Sequence, residues 1–103
     1  MGKVLPIPVT NALKKLGANI DDARRRRRIR VALMAERAGI TPKTYLNIKK
    51  GEPTVSMGGY ASVLFVLGLS NGLRDLADAA HDLTGRMLEE EHLPKRIRRP
   101  KNG

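Results

Sequence analysis

A chain of 103 residues has room for one domain with one modest hydrophobic core, and not for two. Its 41% hydrophobic content is ordinary for a globular protein, but 20 Lys and Arg against 10 Asp and Glu leave a net charge of +10. That excess draws polyanions, nucleic acid first and an anionic membrane surface second, and the absence of cysteine excludes thiolate catalysis, Cys-based zinc sites and disulfides.

Pro6 and Pro8 disfavour a helix at the start, so residues 1–9 are expected to form an extended arm. A helical pattern begins near Thr10, with Thr10 or Asn11 as its cap. Leu13, Leu16, Ile20, Arg24 and Arg27 fall within one face, and this helix is expected to run to about Arg28. A second helix over residues 31–38 should bury Leu33, Met34 and Ala38 and stop at Gly39. After Ile40 in a short turn, Thr41 is a good N-cap and Pro42 a good first helical residue, with Tyr45 and Ile48 facing inward. Gly51 and Pro53 close this third helix. Ser56 can cap a fourth, whose stripe is Tyr60, Val63, Leu64 and Leu67, and Gly68 ends it. Asn71 is the expected cap of a fifth helix carrying Leu73, Leu76, Ala77 and Ala80. Beyond Asp82 a weaker amphipathic segment with Leu83, Met87 and Leu88 leads into a basic tail over residues 92–103. The tail has almost nothing to bury and is expected to be disordered alone; a DNA arm, a partner-binding segment and a solubilising extension are its competing roles. No segment alternates with period two, so the fold class is all-α. The expected organisation is an arm over 1–9, a DNA-binding domain over 10–82, and a C-terminal helix with its basic tail over 83–103.

The informative stretch is IRVALMAERAGITPKTYLNIKKGEP, residues 29–53. Two helices that cross steeply need a small residue where they touch and a tight turn between them; Ala35 supplies the first and Gly39 the second. Together with the spaced arginines that end the first helix and the glycine that closes the third, this register resembles the Xre/Cro-like helix-turn-helix family over residues 16–69. The resemblance implies a five-helix, lambda-repressor-like domain whose third helix enters the major groove. On a helical wheel the outward face of that helix carries Lys43, Asn47 and Lys50, with Leu46 beside them. Asn can pair bidentately with adenine, Lys can donate to guanine or phosphate, and Leu46 can meet a thymine methyl. Thr41 and Thr44, with Pro42 at the helix start, suit phosphate contacts at the helix N-terminus, and Arg30 adds charge beside them.

Two positions depart from the family pattern. Val31 stands where many members have a Gln that touches DNA and braces the recognition helix. Lys49 stands where members place a Glu buried against the arginine at the position of Arg24. Glu36 or Glu52 could compensate for that lost bridge, or Arg24 could turn outward to phosphate; the sequence leaves these open.

Residues 24–28 are five consecutive arginines, with Arg30 just beyond. The run circles the helix, so it is not one phosphate-binding stripe. Arg24 and Arg27 are expected toward the core, with their stems over apolar surface, while Arg25, Arg26 and Arg28 are mainly solvated and add nonspecific affinity, Arg25 and Arg28 being the candidate phosphate contacts.

The phrase GEPTVSMGGYASVLFVLGL, the acidic helix after it and the terminal LPKRIR resemble HipB-type antitoxins. This narrower resemblance implies a transcriptional repressor that binds its own palindromic operator and also a HipA-like kinase toxin; the alternative is a solitary Xre-family regulator. Phe65 and Val66 lie off the main stripe of the fourth helix, and Met87 and Leu88 are spare, which leaves core filling or a homodimer seam. An enzyme is disfavoured: Asp21 and Asp22 diverge on a helix and read as solvated, Glu89, Glu90 and Glu91 lie on an exposed helix, and His81 and His92 are isolated. No metal or cofactor is expected. Single-stranded RNA is disfavoured because Tyr45 and Tyr60 are assigned to the core and leave no stacking platform. Membrane binding is disfavoured by the scarcity of aromatics, and the opening MGKVLPIPVTNALKKLG lacks a long apolar core. A cytoplasmic, nucleoid-associated protein is the expectation.

Overall fold

The computed structural model describes residues 4–97, with side chains through residue 92. The described elements are helical: α1 (Ile7–Arg26), α2 (Val31–Ala38), α3 (Pro42–Lys50), α4 (Met57–Val66), α5 (Ser70–Arg74), a 3₁₀ turn (Ala79–His81) and α6 (Leu83–Ile97). No strand occurs among the described residues. No helix among them is long and apolar enough to cross a membrane. The chain divides into two compact units, Met1–Asn71 and Gly72–Gly103.

In the first unit α1 begins at Ile7, three residues ahead of the expected cap at Thr10. Pro6 is the N-cap, with φ −56° and ψ 144°, and Pro8 sits in the first turn. The amides of a first turn have no intrahelical acceptor, so proline there sacrifices no hydrogen bond. The Pro6 carbonyl accepts from Val9 and Thr10 at 3.0 and 3.1 Å, which starts the helix inside the expected arm. At its other end α1 stops at Arg26 rather than Arg28. Arg28 turns the chain with φ 55°, a left-handed conformation that costs a non-glycine residue about 1–2 kcal/mol.

The next elements start and stop where the local chemistry directs. Gly39 and Gly51 adopt φ 72° and 77° after α2 and α3, conformations that glycine takes without a Cβ clash. The Thr41 and Ser56 hydroxyls accept from the amides of Thr44 and Gly59, at 3.1 and 3.0 Å, and cap α3 and α4. The core is Ile20, Ala23, Met34, Ala35, Tyr45, Ile48, Tyr60, Val63 and Leu67, drawn from α1 to α4 and the turn that follows. Leu64 and Ala38 pack against it half-buried. Leu33 does not join it and remains 38% exposed, because Met34 and Ala35 set the inward side of this short helix and Leu33 falls opposite. Helix α1 packs against α3, and α2 against both α3 and α4.

The expected fifth helix is not formed as a whole. Helix α5 ends at Arg74, Ala77 takes φ 63°, and Leu76, Ala77 and Ala80 are exposed. Asp78 competes for the backbone by accepting from the Ala80 amide at 2.8 Å, and this caps the 3₁₀ turn instead. In the second unit none of residues 72–92 is buried. Helix α6 continues to Ile97, so residues 92–97 of the expected disordered tail have helical backbone. Residues 98–103, and the roles considered for them, lie outside the described residues.

Candidate nucleic-acid interface

The third helix presents a polar face because its two large inward residues leave no choice of rotation. Tyr45 and Ile48 are both completely buried, so the positions between and around them point away. Lys43 and Lys50 are exposed, Leu46 is 43% exposed, and Asn47 is half-buried beside them. At the start of the helix Thr41 and Pro42 are exposed and Thr44 is half-buried. The Thr41 hydroxyl donates to the Thr44 hydroxyl at 2.9 Å while accepting the Thr44 amide, so both side chains are held at the helix N-terminus. Arg30, exposed, is the N-cap residue of α2 and does not cap it through its side chain.

What fixes α3 on α1 is a buried ionic network. Asp21 is only 3% exposed, which corrects the expectation of a solvated carboxylate. Its Oδ1 accepts from Arg24 Nε at 2.9 Å and from the Tyr45 hydroxyl at 2.7 Å. Arg24 Nε also lies 3.1 Å from the Tyr45 hydroxyl, and its Nη1 donates to the Ile29 carbonyl at 2.7 Å. On the other side of the carboxylate, Oδ2 lies 3.5 Å from Arg25 Nε and 3.8 Å from Lys49 Nζ. The alternatives left open by the sequence are thereby resolved. Neither Glu36 nor Glu52 replaces the absent Glu at Lys49; Asp21 does, from α1, and Arg24 points inward.

Burial alone would raise the Asp21 carboxyl, but the hydrogen bonds from Arg24 and Tyr45 and the nearby Arg24 and Lys49 charges outweigh it and hold the carboxyl below its ordinary value. Burial would likewise lower the Arg24 guanidinium, and its bond to Asp21 reverses this and raises it. Burial and the hydrogen bond to Asp21 push the Tyr45 hydroxyl up to about 12.

A second device sets the distance between these helices. A Cβ on Gly17 of α1 would fall onto the Ile48 carbonyl of α3 and within 2.6 Å of the Lys49 carbonyl oxygen. Across the same contact, a Cβ on Gly51 would lie 2.6 Å from Lys14 Cα. The C-terminal end of α3 is therefore seated backbone-to-backbone on α1. Both Asp21 and Gly17 escaped the sequence reading. The signal was available in the spacing of Gly17, Asp21 and Arg24, which repeats at helical intervals along the face of α1 that includes Ile20.

The arginines divide by environment. Arg24 is internal, with 13% of its side chain exposed. Arg27 is exposed, and its Nη1 donates to the Ala23 carbonyl at 3.0 Å. Arg25 is 63% exposed and paired with Asp22 at 2.8 Å. Arg26, Arg28 and Arg30 are exposed, and no protein acceptor or carboxylate holds their guanidinium groups among the described residues. The geometry therefore offers a helix with an outward Lys43–Leu46–Asn47–Lys50 face, locked to a neighbouring helix end that is rich in cations.

The chain matches no protein-family model, no curated protein and no solved structure.

Proposed function

We propose that the protein is a sequence-specific, double-stranded DNA-binding repressor in which α2 and α3 act as a helix-turn-helix within a lambda-repressor-like domain. The observation that carries this reading is the outward face of α3, where exposed Lys43, Leu46 and Lys50 flank half-buried Asn47 on a helix whose opposite side is pinned by fully buried Tyr45 and Ile48. Such a face suits base edges in the major groove. Thr41, Pro42 and Thr44 at the N-terminus of α3 and Arg30 at that of α2 suit phosphates, with Arg25 and Arg28 beside them. A net charge of +10 supplies the long-range attraction. Lys49, by contrast, turns toward Asp21 and is not assigned to the groove.

A dimer would place two α3 helices on the halves of a palindromic operator, about one helical turn apart. The resemblance to HipB-type antitoxins extends the proposal to autoregulation and to a kinase-type toxin as partner. A kinase-like gene adjacent to this one is the expected accompaniment, and its absence would favour a solitary regulator.

The direct test is a gel-shift titration against the DNA upstream of the protein's own gene, with a scrambled duplex as control. Selective, salt-sensitive shifts are expected. Asn47→Ala should weaken specific binding by about 1–3 kcal/mol while sparing binding to the scrambled duplex. Equal loss on both duplexes would remove Asn47 from base recognition, and equal binding of the parent protein to both would overturn sequence specificity for this site.

A further inference from the structure

Helix α4 is built differently from the other helices. Its sequence, MGGYASVLFV, contains no Asp, Glu, Lys or Arg, although 29% of the chain is charged. Among the described helices of eight residues or more it is alone in this. One side is used: Tyr60 and Val63 enter the core. The other side is not. Met57, Ala61 and Phe65 recur at intervals of four and form a stripe along the helix, with Met57 72% and Phe65 73% exposed. Leu69, just past the Gly68 turn, is a further 44% exposed. Core filling is thus ruled out for Phe65 within the first unit.

We infer that this stripe is a self-association seam, with a second copy of the same chain as its occupant. The argument is electrostatic. Two chains of +10 repel one another, and a two-fold interface presents the same patch on both partners, so any cation in it meets its own image. The seam of such a dimer must lie where no cation falls, and α4 combines that property with exposed aromatic and thioether side chains. A partner that recognised the chain by its positive charge would instead dock where cations are, and α4 offers it none. The inference deepens the dimer in the proposed function and rests on that reading only for the use made of the dimer; the association is measured without DNA.

Sedimentation equilibrium of the full chain at tens of micromolar should give twice the 11.4 kDa monomer mass. Self-association should strengthen as salt screens the like charges, whose reach at 0.1 M is only about 10 Å, the opposite of the salt response expected for DNA binding. Phe65→Glu should yield a monomer with an unchanged helical circular dichroism spectrum. Met57→Glu provides a second variant, at a first-turn position where an acidic side chain favours the helix. Met87→Glu on α6 should leave the dimer intact. A monomeric parent chain, a dimer that survives both stripe variants, or dissociation by Met87→Glu alone would overturn the assignment.

Discussion

Replacing Asp21 by Asn tests the ionic network that seats α3. Asn keeps the size of the side chain and can still accept from Arg24 and Tyr45 through its amide oxygen, but it removes the negative charge from a site that is 3% exposed. Arg24, with 13% of its side chain exposed, would keep its bond to the Ile29 carbonyl at 2.7 Å and lose its counter-ion. Hydrogen bonds to charged groups contribute about 1.5–3 kcal/mol, and stripping one partner from a buried pair reaches about 3–5 kcal/mol. With the Asn oxygen retained, a loss of about 2 kcal/mol is expected, read as a fall in the urea midpoint with unchanged slope. For a unit of this size it corresponds to a drop in Tm of about 8–16 °C. The pH dependence supplies a second readout. Asp21 titrates lower in the folded state than its ordinary 3.8, so its stabilisation is complete above that value and is lost as pH falls through the lower folded one. The stability gap between parent and variant should be flat above about pH 5 and close in strong acid. A third readout relocates the charge. Lys49 Nζ lies 3.8 Å from Asp21 Oδ2, so Lys49→Glu in the Asp21→Asn background returns a carboxylate to the same neighbourhood from the opposite helix. The double variant should recover at least half of the lost stability, although Lys49→Glu alone should not stabilise the parent. An Asp21→Asn variant within about 0.5 kcal/mol of the parent, or strictly additive double variants, would refute the reasoning.

Gly17→Ala should cost about 2–3 kcal/mol in denaturant unfolding, because the added methyl meets the backbone carbonyls of Ile48 and Lys49 and neither can rotate away as a side chain would. The same variant should weaken operator binding more than Ala18→Ala-neighbour controls such as Asn19→Ala, since the displaced element is α3 and Asn19 is exposed. Tyr45→Phe should cost about 1 kcal/mol at neutral pH by deleting the hydroxyl's bond to Asp21. Tyr45 titrates higher folded than unfolded, so its contribution is complete below about pH 10 and lost as pH rises toward about 12; the Phe variant should show a shallower alkaline limb, with Tyr60, also raised by burial, accounting for the remainder.

Local chemistry made much of the first unit legible. Thr41 and Ser56 announce helix starts, Gly39 and Gly51 announce stops, and Tyr45, Ile48, Tyr60 and Val63 keep helical spacing; all of these depend on a few neighbouring residues. The missed features depend on partners distant in sequence. Asp21 reads as solvated until Tyr45 and Arg24 close over it, and Gly17 reads as a helix-weakening residue until α3 lies against it. Pro6 and Pro8 were read as helix breakers although each is harmless in a first turn. Leu76, Ala77 and Ala80 promised a helix face, but the described second unit offers nothing for that face to be buried against. The lysine at position 49 shows how a family pattern can mislead at one residue: the charge pair persists with its acidic member moved to α1.

That relocation bears on how the arginine run can act on DNA. Five consecutive arginines invite the expectation of five phosphate contacts, but their surroundings divide them. Arg24 is already neutralised by Asp21, Arg25 is matched by Asp22, and Arg27 is folded back on the Ala23 carbonyl. Exposed Arg26, Arg28 and Arg30 remain for phosphates. Each phosphate neutralised contributes about 0.9 to the slope of log K against log salt, so replacing all three with Gln should flatten that slope by up to about 2.7 on operator and random DNA alike. Replacing Arg24 should leave the slope unchanged while lowering stability, because its charge is spent inside the fold. A slope that falls equally for Arg24→Gln and for the exposed arginines would mean that Arg24 leaves Asp21 on binding DNA, and the division of labour derived from the free protein would not hold in the complex.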